Sequence, residues 1–162
     1  MTVIDKGLTM RILFFIFAVT ASMFSMAEQQ YSVRKFTDDT TFKCSGAEIF
    51  VKADKKAYHA PDNLKYFTLT FVNDMDDVMF ETKNGSSIYT YDKFVDLKGD
   101  WMHLKKGDLG MNYVLESGST LNFIDIFANG KVVMETTDRN DRSVGHIQRA
   151  YCPDLRLAIR RK

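Results

Sequence analysis

The segment Tyr66–Val72 reads YFTLTFV, with Phe67, Leu69 and Phe71 alternating against Thr68 and Thr70. A period of two puts the three apolar side chains on one face of an extended chain and the threonines on the other, the pattern of a half-buried β-strand. Asn73, Asp74, Asp76 and Asp77 follow as a polar turn, after which Val78 and Phe80 alternate again in DVMFET. The pair predicts a β-hairpin.

Outward from this hairpin the strand signals continue. Asn84-Gly85 stands between DVMFETK and SSIYTYDKF, and Asn129-Gly130 between LNFIDIFA and KVVMETT. Asn and Gly tolerate the positive φ of a type I′ turn, so each dipeptide predicts a tight hairpin. Residues 40–44, 101–104, 110–115 and 144–151 are further candidate strands. Residues 46–58 (GAEIFVKADKKAY) allow either one short helix or a strand and a loop. No long 3.6-residue periodicity appears between Thr40 and Cys152. In the tail, Leu155, Leu157 and Ile159 alternate with Arg156 and Arg160, as a last edge strand or a frayed basic end would.

The expected fold is therefore all-β, with room for one short helix. About eight antiparallel strands in meander order must close as a small barrel or stack as a sandwich, because an open sheet leaves long unpaired edges. Consecutive hairpins favour the barrel.

The first residues carry a different signal. Lys6 and Arg11 precede the apolar run from Ile12 to Val19, and small residues, among them Ser25 and Ala27, follow it. That order is a secretory signal peptide over residues 1–27, cut between Ala27 and Glu28, with Val19 and Ala21 marking an earlier alternative. Residues 12–27 are short of the roughly 20 apolar residues of a bilayer span. The reading is one exported β-rich domain over residues 28–162, periplasmic or secreted, with no stable membrane span after cleavage.

Charge excludes one class of function. The chain has 22 Lys and Arg against 21 Asp and Glu, and loss of Lys6, Arg11 and Asp5 with the signal leaves the two signs equal. Such a chain lacks the basic field that nucleic-acid binding draws on. The two cysteines, Cys44 and Cys152, are expected to pair in an oxidising compartment and so to pin an early strand beside a late one.

Catalytic chemistry finds no foothold in the motifs. No serine sits in a Gly-x-Ser-x-Gly context, and paired cysteines offer no nucleophile. His59, His103 and His146 lack metal-ligand spacing. The Asn73, Asp74, Asp76 and Asp77 cluster has oxygen ligands suited to calcium but not the glycine and distal glutamate of an EF-hand loop. Asp138, Asn140 and Asp141 read as turn residues. Asn84-Gly85-Ser86 matches a glycosylation sequon that an Asn-Gly turn meets by chance. No catalytic, cofactor or metal residue is assigned, and no cofactor is expected.

Two short stretches carry local resemblances. Gly99-Asp100-Trp101 resembles the Gly-x-Trp element of lipocalin barrels, which those proteins carry on the first strand and this chain carries in its middle. Ser117-Gly118 followed by Leu121 is similar to the Ser-Gly-x-x-Tyr loop of periplasmic lysozyme inhibitors, with Leu121 in place of the tyrosine. Trp101 and Lys106-Gly107 precede that loop, where the family's counterparts follow it. Each covers a few residues, and no family is assigned. Met75, Met79, Met102, Met111 and Met134 suit either core filling or an adaptable apolar pocket. The functional expectation is a non-enzymatic binding module for an apolar small ligand or a protein partner. The alternative is a lysozyme-inhibitor-like inhibitor of an extracytoplasmic hydrolase that inserts a loop such as residues 116–120.

Overall fold

A computed structural model describes residues 31–162. The expected signal peptide, its cleavage site and any anchor at residues 12–27 lie outside the described residues. Strands dominate: β1 (Tyr31–Arg34), β2 (Thr40–Val51), β3 (Lys56–His59), β4 (Tyr66–Val72), β5 (Asp77–Thr82), β6 (Gly85–Asp96), β7 (Leu109–Ser117), β8 (Thr120–Phe127), β9 (Lys131–Asp138), β10 (Gly145–Tyr151) and β11 (Ala158–Arg161). A single helical turn, α1 (Asp62–Lys65), precedes β4. β1 and β11 form a two-stranded sheet of their own.

Eight strands make one closed antiparallel barrel within the compact unit Val33–Ile159. From β4 to β10 each strand pairs with its successor, and the seam is β2, which pairs with β4 on one side and β10 on the other. The barrel, rather than a sandwich, is the outcome of that seam: Ser45 opposes Tyr151 and Gly46 opposes Ala150, so no barrel edge stays open. β3 lies outside the ring, on the second half of β2.

The alternation in YFTLTFV fixes which side faces in. Leu69 opposes Phe80 and Phe71 opposes Val78, while Phe42 opposes Leu69 across β2. Phe67, Leu69 and Phe71 are buried, as are Phe42, Val78, Met111, Tyr113, Ile124, Ile126 and Val132, all in one core cluster. Aromatic rings tile one end of this core: Phe36 lies 5.2 Å from Phe42 and 5.3 Å from Phe71, and Tyr91 lies 5.9 Å from Tyr113, centroid to centroid. A second, smaller cluster of Leu104, Phe127 and Val133 forms outside the ring, under the loop between β6 and β7.

Cys44 and Cys152 are bridged across a sequence separation of 108 residues. The bridge joins β2 to the residue after β10, beside the Ser45–Tyr151 pair, and so clamps the seam. Cys44 does not end its strand, as the run TTFKC implied. β2 continues to Val51 because β10 takes over as partner where β4 begins.

Several local expectations are corrected. Residues 101–104 are not a strand but a tight turn in which Trp101 and Leu104 exchange main-chain hydrogen bonds, with Met102 at φ 52°. Both Asn-Gly sites do form hairpins, yet neither is type I′. Gly85 pairs with Thr82 inside the ladder, so the loop is Lys83-Asn84, and neither residue has positive φ. At the other site Gly130 alone is left-handed, φ 83°, and its N–H donates to the Phe127 carbonyl, the signature of a turn followed by a bulge. Residues 46–58 form strand, turn and strand. In the tail Leu155 and Leu157 are buried, and only the end is an edge strand.

Candidate functional surface

A barrel holds a ligand inside only if its interior has room, and this interior is occupied by its own side chains. Tyr113, Phe71, Leu69, Ile124 and Ile126 are almost wholly inaccessible to solvent. The methionines divide accordingly: Met75 and Met111 belong to the core, and Met102 is exposed on the Trp101–Leu104 turn.

Among the described residues, a wide cavity lies on the outer wall. It is a groove of about 690 Å³ over β6, β7 and β8, with an apolar floor of Ile88, Val114, Leu121 and Phe123. Its volume falls in the range of ligand and peptide pockets, roughly 300 to 1,000 Å³. Asp92, Lys93, Glu116 and Arg142 ring it. Arg142 reaches it from the β9–β10 loop, whose main chain is tied down: the Arg142 carbonyl accepts from Lys52 Nζ at 3.1 Å and from Thr137 Oγ1 at 3.3 Å. Asp138, Asn140 and Asp141 shape this loop. Asp138 Oδ1 accepts the N–H groups of Asn140 and Asp141, and Asp141 Oδ1 accepts both donors of Ser143. Those Ser143 bonds hold the Asp141 carboxyl below the usual carboxylate range.

At one end of the groove the β7–β8 hairpin turns at Gly118-Ser119, with Glu116, Ser117, Gly118 and Ser119 all exposed. Arg139 Nη2 braces Glu116 Oε2 at 2.5 Å. The hairpin contains the Ser117-Gly118 element. A second cavity, of about 370 Å³, opens near the seam between Lys43, Tyr66, Phe67, Thr68 and Lys83.

The three histidines stand on separate elements. His59 is exposed on β3. His103 lies in the Trp101–Leu104 turn, where both ring nitrogens are buried without a hydrogen-bond partner. Burial, then the charge of Lys131, pushes its pKa down, against the Ala150 main chain and Asp108. His146 on β10 is also shifted down, by burial and then by Lys52. Among the described residues no group of three or more His, Cys, Asp or Glu is placed to hold a metal ion. In the Asn73 to Asp77 turn the carboxylates and amides serve the turn itself: Asn73 Nδ2 donates to Asp77 Oδ2 at 2.6 Å, and Asp74 N–H donates to Asp38 Oδ1 at 2.8 Å. Asn84 sits at an exposed hairpin tip.

Sequence reasoning did not anticipate the groove. Its signal is in TLNFIDIF, where Leu121 and Phe123 occupy one face of β8 while Ile124 and Ile126 occupy the other. A barrel strand that is apolar on both faces has something besides the core to cover its outside. The sequence matches no protein-family model, and comparison with curated proteins and with solved structures gives no significant match.

Proposed function

We propose that this chain is an exported, non-enzymatic binding module that recognises a protein partner on the outer wall of its barrel, in the groove over β6, β7 and β8. The observation that carries the reading is the contrast between a filled interior and an open groove with an apolar floor and a charged rim. An apolar small ligand, the other occupant the sequence allowed, finds no room inside the barrel, where Leu69, Phe71, Tyr113 and Ile124 are buried. Partner surfaces combine an apolar centre with a polar rim, and the groove has that arrangement. Export is supported by the order of charge and apolar residues in residues 1–27 and by the Cys44–Cys152 bridge, which suits a periplasmic or extracellular setting. Among the described residues no helix is long and apolar enough to cross a membrane.

A second reading, inhibition of an extracytoplasmic hydrolase, is favoured by the exposed tip at Glu116 to Ser119, which projects beside the same groove. Native mass spectrometry of protein purified from its own compartment tests both. A bound protein is expected, and a co-purifying hydrolase would select the inhibitor reading. A bound small apolar molecule with no protein would overturn the assignment of the groove. N-terminal sequencing of the same sample should begin at Glu28, or at Ser22 if the earlier site is used.

A further inference from the structure

Asn112, on the outward face of β7, is only 5% exposed, and its Oδ1 is buried without a hydrogen-bond partner. A buried amide oxygen left unpaired is costly, because it has lost its water partner without a replacement. The other half of the same amide is engaged: Nδ2 donates to Oδ1 of Asp125 at 2.5 Å, and the two residues oppose each other directly across β7 and β8.

The surroundings of Asp125 bear on its charge. On the β9 side Glu135 is a like charge, and it is held by Lys52 Nζ at 2.5 Å. From β6, Lys93 is the cation facing Asp125, and it stands 3.3 Å from Asp92. An ionised Asp125 is acceptor-only and offers nothing to the Asn112 oxygen, whereas the neutral acid carries one donor.

We propose that Asp125 carries a proton that it donates to Asn112 Oδ1, closing a two-bond ring between acid and amide on the outer wall. In that ring Asn112 Nδ2 donates to one carboxyl oxygen, the other carboxyl oxygen donates to Asn112 Oδ1, and no polar atom of the Asn112 amide is left over. Burial, the largest influence on Asp125, and Glu135 both favour the proton, against the Asn112 hydrogen bond and Lys93. The site is a proton-binding clasp between β7 and β8.

The sign of its pH dependence follows from a folded pKa raised above the unfolded one. The contribution is fully present below the ordinary aspartate range and is lost as pH rises through the folded value, when the proton leaves to solvent and a second negative charge appears beside Glu135. Carbon-detected NMR of the native chain tests the proposal without any substitution. The Asp125 carboxyl carbon should titrate above the exposed aspartates, and the Asn112 Nδ2 protons should shift with the same midpoint. Titration of Asp125 together with exposed aspartates would overturn it. As a second measurement, made below the Asp125 midpoint that NMR finds, Asp125→Asn keeps both bonds as an amide pair and should hold the thermal midpoint, whereas Asp125→Ala should lower it. Equal losses from the two substitutions would also overturn the clasp.

Discussion

The hydroxyl of Tyr113, at the centre of β7, donates to the main-chain carbonyl of Met75 at 3.0 Å. Asn73, Asp74 and Met75 all have positive φ, at 51°, 58° and 69°, so the β4–β5 connection makes three consecutive left-handed steps. Each costs a non-glycine residue roughly 1 to 2 kcal/mol. The turn is tolerated because it is held from several sides: Phe36 N–H approaches Met75 Sδ at 3.2 Å, Asp38 accepts from Asp74, and Tyr113 reaches up from the core. Met75 thereby becomes the plug of the aromatic end of the barrel. Burial raises the Tyr113 pKa far above its ordinary value, so the hydroxyl stays a donor at all working pH.

Tyr113→Phe keeps the ring and removes that donor, leaving the Met75 carbonyl unpaired. The expected loss is about 1 to 3 kcal/mol, read from the shift of the urea midpoint at unchanged slope. An unaltered midpoint would show that Tyr113 does not support the turn.

Gly46 marks a second close approach. A Cβ added there would meet Gln148 Nε2 at 2.1 Å and the Leu64 carbonyl at 2.3 Å, the two partners of a 3.1 Å hydrogen bond between β10 and α1. Gly46→Ala must push these groups apart, and an overpacked site of this kind costs about 1 to 3 kcal/mol. Thermal unfolding should show a lowered midpoint. A neutral result would mean that α1 can move away freely.

Legibility in the sequence followed periodicity. YFTLTFV gave β4 residue for residue, since Phe67, Leu69 and Phe71 face inward against Cys44 and Phe42 on β2 and Phe80 and Val78 on β5. Residues 101–104 misled because Trp101 and Leu104 have strand-like composition, while their hydrogen bonds close on each other instead of on a neighbour. Turn type was hidden for a similar reason: whether Asn84-Gly85 forms the loop depends on register, and register is set by the whole ladder. The groove was the least legible feature. Ile88, Val114, Leu121 and Phe123 come from three strands and are brought together only by the order β6, β7, β8.

Ile88 supplies the cleanest test of that groove, because it is 56% exposed and lines it without belonging to the core. Ile88→Asp should change stability by no more than about 0.5 kcal/mol, the usual range for surface positions. Affinity for the partner recovered from the native compartment should fall at least about tenfold, a loss of about 1.4 kcal/mol. Full affinity in calorimetry would place the recognition surface elsewhere.

His103 and His146 both have folded pKa values pushed below the ordinary value by burial. With the folded value depressed, their contribution is complete above the unfolded pKa of about 6.5 and declines as pH falls from there through the folded values. The unfolding midpoint should therefore fall on acidification below about 6.5, and the double substitution His103→Gln with His146→Gln should flatten that limb. An acid limb unchanged by the double substitution would assign it to carboxylates instead.

The seam yields the strongest stability prediction. The β2–β10 pair joins the two barrel strands farthest apart in sequence, so it carries the largest closure entropy of the ring. The Cys44–Cys152 bridge, spanning 108 residues, removes most of that entropy from the unfolded chain. Cys152 is further held by its own N–H, which donates to the Gly130 carbonyl at 2.8 Å, so the β8–β9 hairpin tip stays on the seam even without the bridge. The barrel should thus survive reduction as a fold but lose margin. Cys44→Ser with Cys152→Ser is expected to lower stability by about 2 to 5 kcal/mol in chemical denaturation while keeping a β-type circular dichroism spectrum. Thiol titration of unfolded, unreduced native protein should find no free thiols with a monomer mass. Two free thiols per chain would remove the bridge, and with it the account of why the seam closes.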